Sequence, residues 1–125
     1  MDPQTNFLPY FGDAAKLVTL PADATIFREG DEGDYTYVVK SGKVRIETRG
    51  QELAVIGAGE IFGEMAMIDR AQRSAEALAL TDCELVPVDS GAFLALIDSM
   101  PFFSLELLRV FMARIRTTNR KVQAA

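Results

Sequence analysis

The sequence contains no histidine and only one cysteine, and these two gaps exclude a great deal of chemistry. Imidazole is the commonest metal ligand and the commonest general base near neutral pH. Without it there can be no histidine-ligated metal cupin, no Ser-His-Asp triad, no Cys-His dyad and no haem on a proximal histidine. The lone thiol, Cys83, can neither close an internal disulfide nor hold an iron–sulfur cluster. It is expected to be a small buried apolar residue in a reducing, cytoplasmic setting. No apolar run approaches the ~18–20 residues of a membrane span. Residues 1–6 lack both a basic flank and an apolar stretch behind it, so no secretory signal is expected. The D-x-D-x-D-G spacing of a calcium loop is missing as well. Neither a metal nor a catalytic residue is expected, and the chain does not read as an enzyme.

What is present is an ordinary globular composition, 49% apolar and 25% charged over 125 residues. That length suits one domain with one real core. The net charge of −5 disfavours nucleic-acid binding by the surface as a whole. The charge is uneven, however. Arg109, Arg114, Arg116, Arg120 and Lys121 follow Pro101, with Glu106 the one acid among them. A basic helix end complements its own dipole; the alternative is a contact surface for an acidic ligand or partner.

The middle of the chain is a run of short strands punctuated by turns. Residues 24–27 lead into the turn-forming cluster 29–34, and residues 35–40 alternate with period two. Ser41-Gly42 predicts a tight hairpin into residues 44–47, and Arg49-Gly50 a second turn into residues 52–56. Two more strands are expected at 74–80 and 84–88. Such spacing implies a mainly β fold with flanking helices, an antiparallel jelly-roll-like β-roll. Two segments break the pattern. Residues 61–68 predict a short helix inside the roll. Residues 102–122, free of Gly and Pro, predict a helix of about five to six turns. A shorter helix over 89–98 precedes it, with Ser99 or a nearby polar residue as cap and Pro101 in the first turn of the long one. The chain is expected to be a single domain, with the roll over about 15–88 and the C-terminal helices over about 89–122.

Residues 59–75 combine a short helix start, a carboxylate, and an arginine followed by two small residues. Amides around Gly63 and Glu64 would offer unpaired donors to an anion. Arg73 adds a planar fork of donors suited to phosphate. Ser74 and Ala75 are small enough to let phosphate reach the backbone, and Glu64 can grip a hydroxyl. This suits a ligand with a phosphate at one end and a sugar hydroxyl beside it. The segment resembles the phosphate-binding cassette of the cyclic-nucleotide-binding domain family, F-G-E-[LM]-A-L-[IL] followed by R-[AST]-A. Phe62-Gly63-Glu64-Met65-Ala66-Met67-Ile68 is similar to the first half and Arg73-Ser74-Ala75 to the second. The spacing of Glu64 and Arg73 equals that in eukaryotic kinase regulatory subunits. Residues 27–34 and 38–44 resemble the family's first glycine turn and hairpin, so the likeness covers roughly residues 15–122. It implies that Glu64 binds the ribose 2′-hydroxyl and Arg73 the exocyclic phosphate oxygens, with Gly63, Met65, Ser74 and Ala75 around them. Gln72 departs from the usual proline. In the family a threonine after the arginine tends to favour guanine; Ser74 keeps the hydroxyl without the methyl. A cyclic purine nucleotide, cAMP ahead of cGMP, is therefore the expected ligand.

Plainer readings stand beside these. Arg73 and Glu64 could pair with each other as a structural salt bridge. Phe62, Met65 and Ile68 are core whatever the function. Ser41-Gly42-Lys43 resembles a P-loop fragment, but Val44 replaces the required Ser/Thr, so it is a turn.

The last helix carries nine large apolar residues between Phe102 and Ile115, more than one face of a roll can cover. A second copy of the helix is the expected cover, with Leu108, Met112 and Ile115 as the seam and Val110 and Phe111 turned toward the roll. The stretch 112–119 resembles the dimerisation helix of catabolite-activator-type regulators, which places Thr118 and Asn119 against the purine. Those regulators continue into a helix-turn-helix. No recognition-helix pattern occurs in these 125 residues, so no direct DNA binding by this chain is expected. The expected role is a cyclic-nucleotide sensor that signals through its C-terminal helix to an unknown downstream protein. The rival expectations are a ligand-free interaction module of the same fold, or the effector part of a longer transcription regulator.

Overall fold

The structure, a computed structural model, describes residues 6–11, 16–64, 66 and 70–124, with side chains of the last helix described as far as Thr117. Eight strands form two four-stranded antiparallel sheets: β1 (Val18–Leu20), β2 (Thr25–Phe27), β3 (Tyr35–Ser41), β4 (Val44–Thr48), β5 (Gln51–Ile56), β6 (Ile61–Phe62), β7 (Glu76–Ala79) and β8 (Cys83–Asp89). One sheet runs β1-β8-β3-β6 and the other β2-β7-β4-β5.

Strand β8 shows why two apolar layers arise. Its alternating side chains send Cys83 and Leu85 between the sheets and Val86 and Val88 to the outer face, the period-two geometry of a pleated strand. Strand β3 does the same with Val39 inward and Val38 outward. The inner layer is completed by Val44, Ile56, Phe62 and the small Ala77 and Ala79. The outer layer is closed by two helices, α1 (Ser90–Ser99) and α2 (Pro101–Ala124), and by a 3-10 turn at Leu8–Phe11. Phe7, Phe93 and Phe103 are fully buried there, with the Phe7 and Phe93 rings meeting Phe103 edge-on at 5.9 Å. Aromatic pairs prefer such tilted contacts because the ring edge is positive and its face negative.

Three local expectations are corrected. Ser41-Gly42 is a tight turn, but not a hairpin: β3 pairs with β6 and β8, whereas β4 pairs with β5 and β7. The turn therefore arches from one sheet to the other. The true hairpin is at Arg49-Gly50, where Thr48 faces Gln51 and both turn residues have positive φ, as a two-residue turn matched to strand twist requires. Ser99 does not cap α2; its hydroxyl donates back to the Ala95 carbonyl at 2.7 Å. The clear cap belongs to α1, where Asp89 accepts from the Ala92 amide at 2.8 Å. Strand β1 and the four-residue 3-10 turn are additional to the elements expected from the sequence. Of the helix expected at 61–68, Ile61–Phe62 is strand, Glu64 and Ala66 are helical, and Met65, Met67 and Ile68 lie outside the described residues. Cys83 is buried, as expected, between the Lys43 and Thr81 carbonyls.

The buried positions Phe103, Leu107 and Val110 of α2 recur at helical spacing, and Phe111 packs partly against the same layer. Phe102, Leu105, Leu108, Met112 and Ile115 are exposed on α2 by 43–59%. Among the described residues no single helix is long and apolar enough to cross a membrane.

Candidate functional site

The site begins where β6 ends. Gly63 has φ 80°, a conformation nearly closed to other residues. A Cβ there would stand 2.9 Å from Arg73 Nη1 and 3.3 Å from the Phe27 ring. The chain can thus turn sharply into the helical Glu64, which is 4% exposed. On the return, the acidic turn after β2 pins Arg73. The Arg73 amide donates to the Asp31 carbonyl and the Gly30 amide donates to the Arg73 carbonyl, both at 2.8 Å. Asp31 in turn accepts from the Arg28 amide at 2.9 Å. The glycine turn read from the sequence is therefore the clamp on the arginine's backbone.

These residues open onto a cleft of about 400 Å³, large enough for a nucleotide-sized ligand. Gly63, Glu64, Arg73, Ser74 and Ala75 all line it. Of the other three nominated positions, Met65 lies outside the described residues, and Thr118 and Asn119 belong to the last turns of α2, beyond the described side chains. Ile46 of β4 and Leu53, Val55 and Ile56 of β5 add an apolar lining. Helix α2 contributes Val110, Ala113, Arg114 and Thr117 to the lining, continuing the face that buries Phe103 and Leu107.

Glu64 and Arg73 do not pair with each other by salt bridge. Glu64 Oε1 accepts from Arg114 Nη1 at 3.0 Å, and Arg114 Nη2 also donates to the Ile61 carbonyl. Arg73 donates through Nη1 to the Gly63 carbonyl and through Nη2 to the Tyr35 carbonyl, each at 2.5 Å. Its guanidinium carbon sits 4.1 Å from the centre of the Phe27 ring. Its Nε is buried without a hydrogen-bond partner among the described residues, an uncommon condition for a charged donor.

Burial pushes the Glu64 carboxyl above its ordinary value, opposed by the Arg114 charge, by its own backbone bond and by Arg73. Burial pushes the Arg73 guanidinium down, opposed by Tyr37, Asp34 and Glu64; an arginine remains charged regardless. Tyr37 is raised by burial against the Arg73 charge. Sequence reasoning missed Arg114 and Phe27 as site residues. Arg114 was visible only as one basic residue in a basic helix end. Phe27 looked like any aromatic at a strand end.

Residues 17–100 match the family described as "Cyclic nucleotide-binding domain". The chain belongs to this family. The cyclic nucleotide-binding domain here is 42% identical over 104 residues to the Cyclic AMP receptor protein of Thermus thermophilus, covering 79% of this chain and 48% of that protein. The chain spans about half the length of the curated relatives it matches. Among solved structures it is similar to the Thermus thermophilus Catabolite Activator Protein at 32% identity and TM-score 0.76, covering 93% of this chain and 62% of that one. It is also similar to the cAMP-bound EAL enzyme Bd1971 at 35% identity and TM-score 0.63, covering 87% and 31%; a cGMP-bound form of that enzyme matches as well. Cyclic nucleotide-binding domains are regulatory rather than catalytic, and the last two comparisons show that one can accompany an enzyme. The β-roll with a C-terminal helix is the fold these comparisons share.

Proposed function

We propose that this chain binds a cyclic purine nucleotide, cAMP in preference to cGMP, as a regulatory sensor acting as one unit of roll and C-terminal helices. The observation that carries the reading is the buried Arg73, whose Nε has no hydrogen-bond partner among the described residues, in a cleft lined by Gly63, Glu64, Ser74 and Ala75 together with the apolar Ile46, Leu53, Val55 and Ile56. A ligand with a phosphate, a ribose and a purine has that same mixed polarity. Arg73 and the Gly63–Glu64 backbone take the phosphate, Ser74 and Ala75 let it approach, Glu64 accepts from the ribose 2′-hydroxyl, and the purine lies toward Ile46 and Leu53. Arg114 joins this set because it holds the carboxylate the ribose must reach. Met65, Thr118 and Asn119 remain nominated by resemblance to the family.

Binding at Glu64 alters the partner of Arg114, and so favours a different seating of α2. Such a shift needs unequal affinity for the two helix positions. The exposed stripe Leu108, Met112 and Ile115 supports self-association through α2, since two copies of one helix can cover each other by a twofold axis. The relatives' greater length supports a longer regulator, located in the cytoplasm, as the source of the output. In that arrangement this portion makes no DNA contact of its own and hands the signal to a neighbouring domain or protein.

Calorimetry with cAMP on the wild type and Arg73→Ala tests the reading. Losing a charge-assisted contact to a buried anion costs about 2–4 kcal/mol, roughly thirtyfold to a thousandfold in affinity. Equal affinity in the variant overturns the role of Arg73. A wild type that binds no cyclic nucleotide overturns the function and favours a ligand-free module, in which the Glu64–Arg114 pair is purely structural.

A further inference from the structure

The fit of Arg73 to an anion depends on which way its guanidinium faces, and one side chain outside the cassette decides that. Phe27 ends β2 and lines the cleft. Its ring lies under the Arg73 guanidinium, 4.1 Å from ring centre to Cζ. The ring is itself held by two others: Tyr37 stacks on it at 6.4 Å and Phe62 lies at 6.1 Å, with Tyr37 and Phe62 stacked at 5.4 Å. Three aromatics from three strands therefore make a fixed floor. Above that floor the Gly63 and Tyr35 carbonyls hold Nη1 and Nη2. A flat cation with one face on a ring and one edge on two carbonyls is restrained against rotation, and its Nε has no hydrogen-bond partner among the described residues.

We infer that Phe27 is a positioning residue, whose ring fixes the plane of the Arg73 guanidinium so that its Nε edge is kept for the ligand's phosphate. This rests on the function proposed above. The negative face of the ring compensates part of the hydration that a buried cation loses. A leucine of similar apolar character fills space there but offers no face to a cation. Tyrosine keeps the face and should preserve the effect.

Two measurements on the folded protein separate the possibilities. In ligand-free protein, nitrogen-15 NMR should show the Arg73 guanidinium protons displaced upfield by the ring current, and Phe27→Leu should abolish the displacement while Phe27→Tyr retains it. In calorimetry, Phe27→Leu should weaken cAMP roughly threefold to thirtyfold, the span of a partly to largely desolvated cation–π contact. It should also shrink the discrimination between the two phosphorothioate diastereomers of cAMP, which a general loosening of the roll would leave in place. Phe27→Tyr should restore both. Unshifted Arg73 protons in the wild type overturn the inference. Undiminished affinity and diastereomer discrimination in Phe27→Leu, in a wild type that does bind cAMP, overturn it while leaving the proposed function standing. A wild type without cyclic-nucleotide affinity overturns both.

Discussion

Replacing Arg114 with alanine should cost stability in a way that depends on pH, because the residue it abandons is a buried acid. Glu64 is 4% exposed, and its strongest compensation is the Arg114 charge 3.0 Å away. The folded carboxyl already sits above its ordinary value of 4.5. Over the window between the unfolded and folded values the native state holds the extra proton, so stability falls as pH rises through it and is flat beyond. Deleting Arg114 removes two effects that lower the Glu64 value, so the window extends upward and the loss deepens. Near the ordinary carboxylate value Glu64 is protonated in the variant. The cost is then chiefly the hydrogen bond to the Ile61 carbonyl, about 1 kcal/mol. At about pH 8, well above any ordinary carboxylate value, the buried charge is unpaired or must hold its proton against the solvent. Breaking such a pair costs about 3–5 kcal/mol. The lower end applies here, because the Arg114 side chain is 26% exposed. Urea unfolding of wild type and Arg114→Ala at both ends of this range should show the difference growing by about 2 kcal/mol. In an added Glu64→Gln background the growth should vanish. An equal cost at both pH values, or a pH dependence that survives Glu64→Gln, would refute the reasoning.

Two further outcomes follow from the same geometry. Met112→Asp places a charge in the exposed α2 stripe, where Leu108, Met112 and Ile115 are each more than half exposed; sedimentation should show a shift from dimer toward monomer with the roll still folded, and a wild type that is already monomeric at micromolar concentration refutes the seam. Competition binding should give cAMP the tighter constant by a modest factor, and Ser74→Thr, which restricts the hydroxyl's rotamers, should move the ratio toward cGMP; a wild type that prefers cGMP contradicts the assignment of Ser74.

The elements readable in advance were those whose pattern is local. The alternation in β8, the long Gly-free helix and the 62–75 cassette each state their geometry within one continuous stretch, and the five nominated positions among the described residues, Gly63, Glu64, Arg73, Ser74 and Ala75, do meet in one cleft. What escaped was set by distance along the chain. Whether Ser41-Gly42 joins strands of one sheet or two depends on where β6 and β8 insert, and nothing near residue 41 encodes that. Arg114 meets Glu64 across 50 positions, and Arg73 meets Phe27 only because the Asp31 turn carries the arginine's backbone to the end of β2. Helix α2 announced its excess of apolar surface, but which of those residues face the roll follows from the position of Phe103 in the outer layer.

That outer layer has a mechanical consequence. Phe7 is locked against Phe103, the Tyr10 hydroxyl donates to Glu106 at 3.0 Å, and the Phe7 amide donates to the Gly59 carbonyl at 2.7 Å. The described residues 6–11 thus form a link with one end on α2 and the other on the loop that enters β6. Helix α2 cannot swing as a free lever. Through these contacts α2 is joined to Gly59, four residues from Gly63, so a displacement of the helix at Phe103 has a direct packing and hydrogen-bonded route to the rim of the cleft.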